Sequence, residues 1–328
     1  MAEVGIIVNP FSGTDLRRLT SQASIVGNPE KTKKTIRMIR AMDQFGVKSV
    51  VLMPDSYFLN KSISYEYHKR YQSDIEIKVL DFVPNDDPHD TVKAVEKMCE
   101  QGIKCLIAMG GDGTSRLTAK VETDIPFIPV STGTNNAYPQ FWEGTNVGIA
   151  AAFLIRSEQK RLKRDKIIEI YKNEELTDIA VVDAVVTNVP FVGCRVVAEM
   201  SEISEVIVCR CSPDVIGLSA LVGAIEVCDD ADEFGYRIQI GETGDTVAVP
   251  FTSGQIELLT YSQFEKMPLE QVYSMVASYP GTIALDGERT VTFNQGDKLD
   301  FKITRNGPYK VNVASVLKEA VESGYFKR

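Results

Sequence analysis

The chain has 328 residues, too many for one ordinary hydrophobic core, which points to two domains. Its 44% apolar and 25% charged residues are those of a soluble globular protein, with no apolar run long enough to span a bilayer. The formal charge of −9 excludes the basic surface of a nucleic-acid binder, but not a nucleotide substrate, whose phosphates need only a few local donors.

The N-terminus is short and acidic and runs directly into a strand at residues 4–8, so no signal peptide is expected and a cytoplasmic location is. The strand ends in Asn9-Pro10-Phe11-Ser12-Gly13, a turn whose Asn9 and Ser12 offer donors where open α/β sheets bind ligands. Residues 14–34 read as polar and irregular. Lys31, Lys33 and Lys34 read as solvated, whereas Arg17 and Arg18 follow a phosphate-type turn and could grip phosphate. Helical spacing covers residues 35–45 and ends at Gly46. Residues 47–53 read as a strand, 57–72 as a helix, 74–82 as a strand and 89–101 as a helix. The apolar run 105–109 is a buried strand, followed by Gly110-Gly111-Asp112-Gly113-Thr114 and a helix over 115–122. Such a turn lets a ligand approach the backbone and points helix N–H groups at an anion. A carboxylate there either caps the helix or handles a proton or metal beside a phosphate. Residues 125–130 form a further strand, and Gly133-Thr134-Asn135-Asn136 after it is a third polar turn on the same sheet edge. Its alternative is an ordinary turn with a left-handed Asn.

Strands alternating with helices predict a doubly wound, mostly parallel sheet over residues 1–140. After an apolar helix at 145–156 the texture becomes β-like. Strands are expected at 166–171, 178–188, 191–198, 205–210, 236–240, 246–250, 255–259, 282–285, 290–293, 298–303 and 309–313. Helices are expected at 215–226 and 269–276. Residues 141–312 thus predict a mainly antiparallel, β-sandwich-like domain, and 313–328 a helix packing back on the first domain. Asp286-Gly287-Glu288-Arg289 is in the first place a hairpin signal. Six scattered cysteines and two histidines make no zinc pattern, and reduced thiols are expected.

There is no GxxxxGK[ST], no GxGxxG after the first strand and no GxSxG, which removes P-loop, Rossmann hydride-transfer and serine-hydrolase readings. What remains uses carboxylates and backbone donors. Asn9-Pro10-Phe11-Ser12-Gly13, Gly110-Gly111-Asp112-Gly113-Thr114 and the late Asp286-Gly287-Glu288 turn, in this order, resemble the superfamily of NAD kinases and diacylglycerol-type lipid kinases. Arg17-Arg18-Leu19, Gly133-Thr134-Asn135-Asn136-Ala137-Tyr138-Pro139 and residues 284–289 are most similar to its branch associated with acetoin catabolism. The resemblance implies ATP- and Mg²⁺-dependent phosphorylation of a hydroxyl, with the ribose 2′-OH of NAD as the leading acceptor. It implies Asp112 as proton acceptor, and Asn9, Ser12, Gly110, Gly111, Gly113, Thr114, Thr134, Asn135 and Asn136 as nucleotide- and phosphate-binding. Arg17, Arg18, Asp183, Ser219, Asp286 and Glu288 would contact the acceptor. It also implies a homo-oligomer; no metal ligand is assigned, and neither nucleic acid nor membrane is an expected partner. The chain departs from NAD kinases where their early β-domain Asn-Glu pair is Val182-Asp183, and where a Ser/Thr-rich segment is Gly217-Leu218-Ser219-Ala220. Another metabolite of acetoin breakdown as acceptor, or a nucleotide-binding regulator without catalysis, are the alternatives.

Overall fold

The computed structural model describes residues 3–12, 26–133, 136–157, 162–190 and 200–327. The first layer is a sheet built from β1 (Val4–Val8), β2 (Ser49–Leu52), β3 (Glu76–Val79), β4 (Cys105–Gly110), β5 (Pro126–Ser131) and β16 (Tyr309–Lys310). Its order is β16-β5-β4-β1-β2-β3, and every pair is parallel. Strands buried on both faces must be apolar throughout. Accordingly every residue of β1, β2, β4 and β5 is buried, whereas β3 at the edge is only half covered. The two-residue period divides the strands between two cores. Ile6, Val8, Ile107 and Met109 face one, and Ile7, Leu106 and Ala108 face the other.

Helices α1 (Asn28–Gln44), α2 (Leu59–Arg70), α3 (His89–Glu100), α4 (Asp112–Ala119) and α5 (Gly144–Leu154) cover the faces. Helix α1 begins seven residues before the expected 35, because its first turns bury polar residues, Lys31, Thr32 and Lys34, that carry no apolar period. Helix α5, assigned from sequence to the second domain, packs instead in the first core through Val147, Ala150, Ala151 and Phe153. A boundary after residue 140 therefore falls too early. The C-terminal helix α7 (Val313–Glu322) returns to the same core through Val313, Val316 and Ala320, and Tyr325 stacks on Phe45 at 5.2 Å.

The second domain carries β6 (Ile167–Lys172), β7 (Glu175–Ala180), β8 (Asp183–Thr187), β9 (Ile203–Val208), α6 (Leu218–Gly223), β10 (Phe234–Thr252), β11 (Gln255–Pro268), β12 (Val272–Val276), β13 (Gly281–Leu285), β14 (Glu288–Phe293) and β15 (Lys298–Thr304). They form two antiparallel sheets, β11-β10-β9-β8-β13-β14 and β12-β15-β6-β7. Ile168, Ile170, Val186, Ile207, Ile283, Leu285 and Phe301 fill the space between them, so the sandwich is present.

Four expectations are corrected. Residues 269–276 are not helical: β12 alternates in exposure and pairs with β15, a period of two rather than 3.6. The segments 236–240 and 246–250 belong to one long strand, interrupted in its pairing after Ile240. Only Tyr309–Lys310 of the last expected strand is extended, and it joins the first sheet beside β5. The helix expected over 215–226 is limited to Leu218–Gly223. The strand expected at 191–198 lies outside the described residues. Among the described residues no helix is long and apolar enough to cross a membrane.

Candidate active site

The strand order reverses between β1 and β4, whose neighbours run outward in opposite directions, and open α/β sheets hold ligands at such a point. The turns after these two strands touch. The Asn9 amide donates to Met109 O at main-chain level, and its Nδ2 donates to Thr114 Oγ1 at 2.9 Å. The Asn9 side-chain oxygen accepts from Phe11 N, and Ser12 Oγ donates to Asn9 O. Beneath this turn lies Lys31, fully buried, whose ammonium donates to the carbonyls of Asn9, Pro10 and Ser12 at 2.7–3.0 Å. Read from sequence as a solvated charge, it is the fastener of the first turn. Its neighbours in a lysine-rich run hide this role. Arg17, Arg18, Thr134 and Asn135 lie outside the described residues.

Gly110 ends β4 and Gly111 caps α4, which starts at Asp112 rather than at 115. The N–H groups of a helix's first turn have no acceptors within the helix, so Gly113 and Thr114 present donors to an anion. A Cβ at Gly110 would lie 2.3 Å from Thr114 Oγ1 and 2.5 Å from its Cβ. Gly110→Ala is therefore expected to displace Thr114, break its bond to Asn9 and destabilise the fold by about 1–3 kcal/mol. An unchanged denaturation midpoint would contradict this close packing.

The Asp112 carboxylate accepts from Tyr138 N at 2.8 Å and Ala137 N at 3.1 Å. The third turn thus orients the carboxylate of the second. Asn136 lies against Gly111 and donates to Ser131 Oγ. Across from them the second domain inserts its Asp286-Gly287 turn. Both residues are left-handed (φ 52° and 82°), the backbone of a tight two-residue hairpin between β13 and β14. Asp286 points inward, accepts from the N–H groups of Val181 and Val182, and faces Arg116 Nε at 3.6 Å. Glu288 reaches to 3.4 Å from where a side chain at Gly113 would stand. Hairpin and site residue are thus the same feature.

These parts line one cleft of about 300 Å³ between the domains. Asn9, Ser12, Gly111, Asp112, Gly113, Thr114, Asn136, Asp183, Ser219, Asp286 and Glu288 all border it. Gly110 supports it from within β4. Asp183 is buried, and Ser219 comes from α6. Val182 turns into the apolar core instead. Asp55 and Asp90, which sequence did not single out, close the far side. Asp55 accepts from Leu59 N and Asn60 N, and Asp90 accepts from Asn85 N and Asp86 N. The described lining residues include carboxylates but no lysine or arginine.

Burial, opposed by Arg116 and reinforced by Asp112, raises the Asp286 carboxyl from 3.8 to about 7. The folded chain therefore holds this proton more tightly than the unfolded chain. Its stabilising contribution is complete below pH 3.8 and is lost as pH rises through about 7. Stability should fall by up to ~1 kcal/mol per pH unit across that window, and Asp286→Asn should flatten the slope. Denaturant midpoints at pH 5 and 7.5 for both proteins measure it; parallel slopes would contradict it.

Residues 4–159 match the ATP-NAD kinase N-terminal domain, and residues 166–306 match the acetoin catabolism protein X C-terminal domain. The two halves of the chain are thus similar to an NAD kinase domain and to an acetoin catabolism protein X domain, in line with the resemblance read from the sequence. Over 334 aligned residues the chain is 28% identical to acetoin catabolism protein X of Cupriavidus necator, covering 97% of this chain and 92% of that protein. The α/β half and the sandwich half correspond to the two matched regions.

Proposed function

We propose that the protein transfers a phosphoryl group from ATP to a hydroxyl of a nucleotide-like small molecule, with Asp112 accepting the hydroxyl proton. The observation that carries this reading is the convergence of Asp112, the Asn9 turn and the Asp286-Gly287-Glu288 hairpin on one cleft at the sheet's switch point. A carboxylate holds about four lone-pair sites, so two main-chain N–H bonds leave Asp112 capacity for a substrate proton. The hydroxyl becomes acidic only as it bonds to phosphorus, so an ordinary carboxylate suffices as a late base. Gly113 and Thr114 N–H groups at the start of α4 would receive phosphate oxygens.

ATP and Mg²⁺ fit the donor set in a particular way. Among the described residues no three ligating side chains form a ready-made metal cage. Mg²⁺ ordinarily keeps several waters and takes one or two carboxylates plus phosphate oxygens. A cleft rich in carboxylates and without lysine or arginine among its described residues suits a metal that arrives on the polyphosphate, with Glu288 and Asp183 among the carboxylates that line it. The metal would offset charge during transfer. Arg17 and Arg18 are proposed to contribute cations from the neighbouring segment, and Thr134 and Asn135 to complete the third turn.

NAD, phosphorylated at its 2′-OH to NADP, is the leading acceptor. A second acceptor class is favoured by one observation: Val182 is buried and brings no polar side chain to the position where NAD kinases carry Asn. On that reading the acceptor is another hydroxylated metabolite of acetoin breakdown, the process after which the similar Cupriavidus necator protein is named. ADP release from Mg²⁺-ATP, measured with NAD and then with a panel of hydroxylated nucleosides and metabolites, tests both. Acceptor-dependent release is expected with at least one compound. ATP binding without release for any acceptor would favour a nucleotide-binding regulator and overturn the proposal.

A further inference from the structure

The Tyr138 N–H holds the Asp112 carboxylate at 2.8 Å, so whatever fixes this tyrosine also fixes the direction of that carboxylate. Residues 136–139 belong to no strand or helix, and no ladder or helical turn sets their path. The anchor is the side chain, which has no exposed surface. Phe127 lies nearly parallel to its ring at 6.4 Å. The Arg210 guanidinium lies over the ring at 4.8 Å and Lys310 Nζ at 4.2 Å. An aromatic face attracts a cation, most strongly where water is excluded. Burial, helped by Asp165, keeps the phenol protonated, and its hydroxyl donates to the Asp165 carboxylate.

These anchors come from both domains. Phe127 and Lys310 belong to the first sheet, on β5 and β16, whereas Arg210 follows β9 and Asp165 leads into β6. They also bind one another. Arg210 pairs with Asp165 at 3.1 Å and with Asp230, which Lys310 meets at 2.8 Å. Arg210 Nε donates to Val181 O at 2.7 Å, and the Val181 N–H is held by Asp286. Contacts therefore run without a break from the Asp286 hairpin, through Val181, Arg210 and the Tyr138 ring, to Asp112.

We propose, on the phosphoryl-transfer reading, that Tyr138 is a positioning residue: its ring, held where the two domains meet, aims the Asp112 carboxylate, so the base is set only when the domains are docked. Tyr138 touches no reacting atom. Its effect passes through one main-chain hydrogen bond, and a misplacement of about 1 Å costs on the order of 10² in rate.

Two measurements on the full chain test this. Tyr138→Leu removes the ring, Tyr138→Phe only the hydroxyl, and Lys310→Met one cation at a less buried place. Amide hydrogen exchange at positions 137 and 138 reports the bonds to Asp112 without turnover. Well below melting it should quicken about tenfold or more in Tyr138→Leu and stay near the wild type in Tyr138→Phe, with the β4 amides unchanged. The kcat for acceptor-dependent ADP release should fall about 10–100-fold in Tyr138→Leu, with the KM for ATP within about twofold, and Tyr138→Phe should recover most of the rate. Exchange at both amides equal to the wild type in Tyr138→Leu, or in Lys310→Met if Tyr138→Leu does not fold, would overturn the proposal. So would an unchanged kcat in the folded Tyr138→Leu protein. A wild type that transfers nothing, while exchange still depends on the ring, would remove the phosphoryl-transfer reading and leave the positioning of Asp112 standing.

Discussion

Asp112→Asn is expected to lower kcat for phosphoryl transfer by about 10²–10⁴, the usual contribution of a positioned general base, with a much smaller effect on the KM for ATP. The amide keeps the size of the side chain but not its chemistry. Both carboxylate oxygens of Asp112 accept main-chain N–H bonds, from Ala137 and from Tyr138. An asparagine must turn its NH₂ towards one of those donors, so the variant loses a proton acceptor and one of its two restraints together. Single-turnover rates with saturating Mg²⁺-ATP separate this effect from binding. A rate within threefold of the wild type would remove Asp112 from the chemistry.

The second large effect is on the assembly of the two halves. Arg116, on α4, is buried, and its guanidinium meets both oxygens of Asp178 at 3.1 Å as well as facing Asp286. Asp178 belongs to β7 and Asp286 to the hairpin, so one side chain ties the helix of the phosphate turn to two elements of the other domain. Lys120 also meets Asp178, at 2.8 Å, but from a more exposed position. Arg116→Met should leave buried carboxylates under-compensated and cost about 3–5 kcal/mol, a fall in Tm on the order of 10 °C. Arg116→Lys keeps the charge but not the two-pronged grip, and should fall between. A Tm unchanged in Arg116→Met would show that the domains dock without this contact.

Much of the site was legible because the chemistry is concentrated in short segments. A buried parallel strand must be apolar, and a ligand turn must be rich in Gly, Asn or Ser, so the Asn9, Gly110 and Gly133 turns stand out where apolar runs stop. Their placement on one edge follows from the alternation of strand and helix. The supports were not legible. Lys31 sits in a basic run that reads as solvated, yet three carbonyls enclose it. Arg116 finds partners 62 and 170 residues away in the chain, a pairing that no local pattern encodes. Tyr138 reads as an ordinary aromatic after a turn. Residues 269–276 mislead for a different reason: eight residues with mixed apolar spacing fit either period, and pairing with β15 decides between them. Val182 shows the same limit beside the cleft, since its side chain turns to the core while Asp183 next to it borders the cleft.

The most direct test of the phosphoryl-transfer cleft is transfer of label from γ-³²P-ATP, with Mg²⁺ and NAD, by the purified full-length protein and by Asp112→Asn. Label is expected in NADP with the wild type and to be nearly absent with the variant. If NAD stays unlabelled, the same assay extended over the acceptor panel locates the hydroxyl. Label that remains in ATP, or passes only to water, whatever acceptor is supplied, would contradict a transferase built around Asp112.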